Sequence, residues 1–370
     1  MAITNIFGDN MNKKVIVYAI SKNEGKFAKR WAKSMSEADA IYVLDTGSTD
    51  DTVNILKESG VNVKTEIIDP WRFDVARNKS LELVPLDADI CVCTDLDEVF
   101  ENGWRKKLEK LWENCDRMQY HYNWQFDDND SPIISYYLNK IHTRNNYRWK
   151  YPVHEVLEYT GNEPEKVVTT DDIVLNQYSD KEKSRSSYLP LLELAFKENP
   201  NDPRCVHYLG REYMYYERND EAIELFKKHL ELPNATWNDE RCASCRFIAR
   251  CYKRKGNTNE AIKWLDIAIN EAPYLRDSYV EKALIMYELH DYNQVIYLCN
   301  KALDITSNEK TYINEYYSFD HTIYDLLSMC YYYKKNKDLA LYYVNKAIEI
   351  SPNIERLHNN KKYFKNMEEF

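Results

Sequence analysis

The hydrophobic positions of the chain change period once. Residues 15–20, 41–44, 61–67 and 89–94 form short runs rich in Val, Ile, Leu and Tyr, which predict largely buried strands. Between them, residues 24–36, 51–59 and 73–83 repeat apolar side chains three and four apart, which predicts helices. Weaker β patterns at 118–124, 133–141 and 173–178 predict later strands. Strands alternating with helices predict an α/β sheet domain over residues 13–180, preceded by a featureless N-terminal extension, 1–12.

From about residue 183 the strands stop and paired helices recur. Gly210, Ala249, Ala283 and Ser328 are each followed twelve positions later by Ala222, Ala261, Val295 and Ala340, and seven further on by His229, Ala268, Ala302 and Ala347. Pro273 and Pro352 stand five beyond the last of these in two of the four units. Small residues let the helices of a hairpin approach closely, and proline ends the second helix because it has no N–H for the ladder. The pattern resembles the tetratricopeptide repeat and predicts an all-α domain over 181–370. Residues 185–198, with Ala195 and Pro200 at the matching offset, predict a half-repeat helix joining the two domains. The anchors Ala222, Ala261, Val295 and Ala340 are unevenly spaced, so the connecting loops must differ in length.

Composition narrows the picture. The 370 residues suit two cores rather than one, and 31 Tyr against 8 Gly favour tyrosine-rich helix packing. A net charge of −10 argues against a nucleic-acid partner, which needs a basic stripe. The chain has no apolar run long enough to span a membrane and no signal-peptide pattern in its first twenty residues. Nine scattered cysteines suit a reducing compartment, so the expected location is cytoplasmic. Cys242 and Cys245 form a CxxC with no second pair, inside a predicted helix, and are read as buried thiols.

In an open α/β sheet, ligands gather beyond the carboxyl ends of the strands. Polar clusters follow all four early strands: Ser21, Asn23 and Glu24; Asp45, Thr46, Gly47 and Ser48; Asp69, Trp71 and Arg72; Asp95, Asp97 and Glu98. Three acids so close repel one another, and a bound Mg²⁺ or Mn²⁺ would relieve that repulsion; the alternative is a solvated acidic turn. Ser48 and Asp50 suit helix capping. Asp45, ending a buried run, is placed to accept from a base N–H. Arg77 is either a phosphate or base contact or an exposed solubilising charge.

Four blocks in order, LDTGSTDDT at 44–52, FDVARN at 73–78, TDLDE at 94–98 and YPVHEVLE at 151–158, resemble the family-2 glycosyltransferases of the GT-A (Rossmann-like) fold, in the group fused to tetratricopeptide repeats, with a distant likeness to bacterial peptide S-glycosyltransferases. The resemblance covers roughly 13–180. It implies a metal-dependent, inverting hexosyltransferase that uses a nucleotide sugar, UDP-sugar being the leading expectation, and a peptide, protein or glycan acceptor held by the repeats. It also implies that Ala19, Ser21, Asn23, Glu24, Asp45, Arg77, Asp95 and Leu96 line the nucleotide-sugar site, that Asp97 binds the metal with Asp95 and His154, and that Glu155, with His154, approaches the reaction centre as the base. Thr46 departs from the pattern where many members have a second acid, as does Lys140 near a position often held by arginine. Two rivals remain: a repeat interaction protein with an inactive sheet domain, and a nucleotidyltransferase. The second normally needs a glycine- and basic-rich loop after the first strand, where Ser21-Lys22-Asn23-Glu24-Gly25-Lys26 has one glycine and an acid.

Overall fold

The computed structural model describes residues 13–127, 130–180, 188–307, 311 and 313–367. The expected extension 1–12, and residues 185–187 of the expected joining helix, lie outside the described residues. The chain divides into two compact units, Met1–Leu191 and Leu192–Phe370.

In the first unit β1 (Val15–Ser21) is apolar at six of its seven positions and buried at almost every one, as a central parallel strand covered on both faces must be. It pairs in parallel with β2 (Ala40–Asp45) on one side and β4 (Ile90–Cys93) on the other. Successive β1 residues enter opposite cores: Val15, Val17 and Ala19 join one cluster, Ile16 and Tyr18 another. The helices α1 (Gly25–Met35), α2 (Thr52–Glu58) and α3 (Phe73–Glu82) follow their strands, and α1 buries Ala28, Trp31, Ala32 and Met35 at helical spacing. β3 (Asn62–Thr65) is a correction. It is a mostly exposed edge strand beyond β2 rather than a buried one, and Ile67 lies past its end at 74% exposure.

The chain continues through β5 (Glu98–Phe100), α4 (Trp104–Leu111), β6 (Arg117–Phe126), β7 (Pro132–Thr143), β8 (Tyr147–Lys150), β9 (Val156–Tyr159) and β10 (Val167–Gln177). The periodicity had not predicted β5, α4, β8 or β9. The sheet runs β3-β2-β1-β4-β7-β6-β10-β5, with β7 antiparallel to both of its neighbours, so it is mixed. β8 and β9 form a separate hairpin. The order steps outward from β1 to β3 and then returns to β4 on the opposite flank, so the carboxyl ends of β1 and β4 bound a topological switch point.

A buried hydrogen-bond chain ties this sheet to the hairpin. Trp149 Nε1 donates to the Tyr18 hydroxyl (3.0 Å), which donates to His142 Nε2 (2.8 Å), while His142 Nδ1 donates to the Thr143 carbonyl (2.7 Å).

The second unit is helical and completes α5 (Tyr188–Glu198), which begins at the end of the first. Four hairpins follow: α6 (Pro203–Tyr215) with α7 (Asn219–Glu231), α8 (Asn238–Arg254) with α9 (Thr258–Glu271), α10 (Arg276–Glu288) with α11 (Tyr292–Asp304), and α12 (Thr322–Tyr333) with α13 (Lys337–Ile350). A last helix, α14 (Glu355–Lys365), covers the end. Every small residue of the repeat pattern is buried. At Gly210 an added Cβ would stand 3.0 Å from Phe226 and 3.3 Å from Leu225, so a side chain there would force these neighbours apart by a few tenths of an ångström. Cys242 and Cys245 are buried free thiols; burial pushes Cys245 up to about 12.

Beneath the first two hairpins His207 Nδ1 donates to Ser244 (2.8 Å), Ser244 to His229 Nδ1 (3.0 Å), and His229 Nε2 to Glu240 (3.2 Å). His142 and His207 are both held neutral by burial, each brought down to about 3 from an ordinary 6.5. The unfolded chain therefore binds more protons between those values. The stability these neutral rings contribute is complete above pH 6.5 and lost as pH falls toward 3, at about 1.4 kcal/mol per unit for each ring. Urea midpoints should fall from pH 6.5 to 5, less steeply than two rings alone would give, because Glu98, raised to about 7, gains stability over the same range; midpoints that rise toward pH 5 would show that the rings are not neutral in the fold.

Candidate active site

The two loops at the switch point satisfy one another. Asp45 is fully buried; its Oδ1 accepts from the Ser21 and Ser48 hydroxyls (3.1 and 2.5 Å), and its Oδ2 from the Gly47 and Ser48 amides (3.1 and 3.0 Å). Four donors fill the lone-pair directions of a carboxylate, so Asp45 shapes the loop. Gly47 takes φ +101°, a backbone turn that a side chain would strain. Asn23, at φ +56°, donates its amide to Ser48 (2.8 Å) and accepts the Thr49 amide (2.7 Å). The Glu24 amide donates to Thr52 (2.8 Å). Asp50 Oδ1 accepts the Thr52 amide (3.1 Å), as expected of a residue entering a helix.

Two of the expected site residues have buried side chains: Ala19 is wholly inside the apolar core, and Leu96 is 2% exposed in the same cluster. Leu96 anchors the acidic turn, which holds Asp95 and Asp97 partly exposed on either side of it.

Arg77 is buried, not a surface charge. Its Nη2 meets Asp95 Oδ1 (2.5 Å), its Nε meets Glu155 Oε1 (3.0 Å), and its plane lies 5.5 Å from the Trp149 ring. Lys140, from β7, holds the other Asp95 oxygen (3.1 Å) and lies 3.8 Å from Glu98. Glu98 Oε2 accepts the Asp95 amide (2.8 Å) and its Oε1 the Tyr122 hydroxyl (3.1 Å). Burial opposes the Asp95 charge, yet Arg77 and Lys140 hold that carboxyl well below the ordinary range. Burial, with Asp95 and Asp97 nearby and Lys140 opposing, raises Glu98 to about 7.

The FDVARN and YPVHE blocks, some seventy residues apart in sequence, are bound edge to edge. The Phe73 amide donates to Pro152 O (3.0 Å), Asn78 exchanges hydrogen bonds with the Trp149 main chain (2.9 and 2.8 Å), and Arg77 reaches Glu155. Residues 151–155 connect β8 to β9, with Tyr151 and His154 at φ +78° and +51°. Left-handed backbone is unusual outside glycine and concentrates at functional loops. The His154 ring packs edge-on to Tyr188, 5.6 Å between centroids. Arg148 pairs with Glu158 (2.6 Å) rather than with Glu155. Asp97 Oδ2 accepts from Gln177 (3.1 Å).

Among the described residues no three His, Cys, Asp or Glu side chains form a ready ligand set. Asp95, Asp97 and His154 are therefore not a preformed metal cage, and both Asp95 oxygens are already taken by cations. Tyr122, Lys140 and Gln177 complete the site beyond the site residues expected. They come from β6, β7 and β10, and only the sheet order brings them to the acidic turn.

Removing one partner of a buried ion pair strands the other charge. Arg77→Met should cost about 3 kcal/mol in urea unfolding, the low end because Lys140 still holds Asp95. A loss under about 1 kcal/mol would show that the guanidinium does not carry the cluster.

Comparison with known proteins gives the following relatives. The tetratricopeptide repeat family matches residues 321–354. Over 315 residues the chain is 24% identical to the SPbeta prophage-derived glycosyltransferase SunS of Bacillus subtilis (strain 168), covering 80% of this chain and 71% of that protein. Glycosyltransferase SunS of Bacillus phage SPbeta matches with the same identity and coverage. Among solved structures, MamA is 20% identical with a TM-score of 0.37, covering 48% of this chain and 99% of that one. The C-terminal part of a TPR repeat-containing protein from Cytophaga hutchinsonii is 18% identical with a TM-score of 0.40, covering 48% of this chain and 64% of that one. No helix among the described residues is long and apolar enough to cross a membrane. Over most of its length, then, the chain is distantly similar to a glycosyltransferase, and its helical region carries tetratricopeptide repeat sequence.

Proposed function

We propose that this chain is a family-2 glycosyltransferase with a GT-A-type domain over residues 13–180, moving a hexose from a nucleotide sugar, a UDP-sugar, to a peptide, protein or glycan acceptor with inversion. The repeats over 181–370 hold the acceptor. The observation that carries this reading is the Arg77-Asp95-Lys140-Glu155 cluster at the β1/β4 switch point, in a chain related over 80% of its length to a glycosyltransferase.

A hard divalent cation, Mg²⁺ or Mn²⁺, fits here only in company with the donor. Asp97 supplies a partly exposed carboxylate, and such ions bind through one or two carboxylates plus substrate phosphates. When bound, the cation offsets charge on the departing diphosphate. The chain's own groups do the rest. Ser21, Asn23 and Glu24 border the nucleoside side of the crevice, and Asp45 keeps that border in shape. Arg77 and Lys140 keep Asp95 ionised and fixed, so its role toward the ribose is positional. His154, on its strained corner, approaches the diphosphate. Glu155 is held through Oε1 by Arg77, which leaves Oε2 to take the acceptor's proton as the nucleophile attacks opposite the leaving group.

The same pairing of Glu155 and Asp95 with Arg77 favours a second reading, in which the cluster is purely structural and the protein is a repeat interaction protein. Calorimetry and turnover on one folded preparation separate the two. Glu155→Gln should keep UDP-sugar affinity within a few-fold and slow transfer by about 10²-fold or more; joint loss of affinity and stability would make Glu155 a structural partner only. Asp97→Asn should abolish turnover, and so should excess chelator, with restoration by Mn²⁺; undiminished turnover in chelator would remove the metal. No donor binding by the native chain across a nucleotide-sugar panel would favour the interaction protein.

A further inference from the structure

Leu175 of β10 is wholly buried in the core that also takes Trp31 and Trp104. Gln177, two positions further along the strand, faces the same side of the sheet, where the pattern calls for another apolar residue. Its Nε2 donates to Asp97 Oδ2 (3.1 Å). A carboxylate only accepts, so the nitrogen is the amide atom that must face it. The amide oxygen, Gln177 Oε1, is then buried with no hydrogen-bond partner among the described residues.

Holding β10 against the acidic turn does not need this side chain. Gln177 and Glu98 are paired in the antiparallel ladder of β10 and β5, and the Tyr178 amide donates to the Asp97 carbonyl (2.8 Å). The residues that follow are fastened separately: the Tyr178 ring meets the Arg30 guanidinium (4.4 Å) and stacks on Phe126 (5.6 Å), and Asp180 pairs with Lys26 (2.6 Å). Leu96 and Glu98, on either side of Asp97, are 2% and 1% exposed, so the turn itself is also anchored. What the main chain does not fix is the direction of the Asp97 carboxylate, and Gln177 holds one of its oxygens. A buried acceptor without a donor costs stability, so an amide kept half-satisfied at an apolar register position points to a role other than the fold.

We propose that Gln177 is a positioning residue: it holds the Asp97 carboxylate in place for a divalent cation that arrives with the donor diphosphate. The inference rests on the reading of Asp97 as the cation's carboxylate given above. Carboxylates that bind metals are themselves held by hydrogen bonds from groups that do not touch the metal, and losing such a partner weakens metal binding by about 10- to 100-fold. A methionine at 177 would fill similar space with neither the donor nor the orphaned acceptor. Cation binding and stability should therefore move apart in that variant, whereas a merely structural side chain would lower both.

Calorimetric titrations of UDP into the full-length chain, at graded Mn²⁺ and in chelator, test this. Mn²⁺ should tighten UDP binding to the unaltered chain. In Gln177→Met the Mn²⁺ concentration that gives half of that gain should rise about tenfold or more, with UDP affinity in chelator unchanged and the urea midpoint level or higher. An unchanged Mn²⁺ dependence in the folded variant, beside a clear gain in the unaltered chain, overturns the proposal and leaves the reading of Asp97 standing. A lowered urea midpoint with UDP affinity lost in chelator as well, or a variant that does not fold, makes the side chain a structural part and also overturns it. If Mn²⁺ does not tighten UDP binding to the unaltered chain, the reading of Asp97 falls and this role falls with it.

Discussion

A guanidinium almost removed from water organises the first unit. Arg77 comes from α3, Asp95 from the end of β4 and Glu155 from the turn between β8 and β9. Leaving any of these charges buried and alone would cost several kcal/mol, so the helix, the sheet edge and the hairpin must meet. Lys140 extends the constraint to β7 through the second Asp95 oxygen. The hairpin makes no ladder with the main sheet. It is held by this ion pair, the Asn78 and Phe73 hydrogen bonds, the Trp149-Tyr18-His142 chain, and the packing of Tyr147, Trp149 and Leu157 against the sheet.

A rigid support allows irregular loops. The β1 and β2 loops spend their polar groups on one another, with Asp45 as the common acceptor, while Tyr151 and His154 hold left-handed backbone in the hairpin turn. Loops positioned by a packed sheet are where binding and chemistry concentrate. The partly exposed Asp95 and Asp97, the half-buried His154 and Glu155, and the Asn23 corner are the groups left at the mouth of the switch point.

The helical unit follows the same electrostatic rule in another setting. Its hairpins close through small buried residues, with Gly210 against Phe226 the tightest contact of the first, but the groove of α8 and α10 also buries Arg246 and Asp277. Those charges are met by a connection 38 residues after Asp277 and 69 after Arg246, which gives the uneven repeat spacing a physical consequence.

The sequence by itself determined what depends on local pattern. The early strands and helices, the paired helices with their small-residue anchors, and the carboxyl-end polar clusters all follow from hydrophobic period and turn chemistry within a few residues. β5, β8 and β9 are not legible because three- and four-residue strands carry little period, and these lack the continuous apolar run that marks the equally short β4. β3 lies at an edge, which the mixed apolar and polar run at 61–67 does not by itself reveal. Of the candidate site, sequence marked Asp95, Asp97, Arg77, His154 and Glu155 as polar groups in suggestive blocks, but it did not say which would pair. Only the tertiary structure decided that Arg77 is buried between Asp95 and Glu155, that Lys140 rather than a neighbour in sequence completes the cluster, that Asp45 accepts four hydrogen bonds from the two loops, and that the Ala19 and Leu96 side chains face the core. Burial and charge pairing are properties of what surrounds a residue, and those surroundings come from strands and loops 18 to 78 positions away.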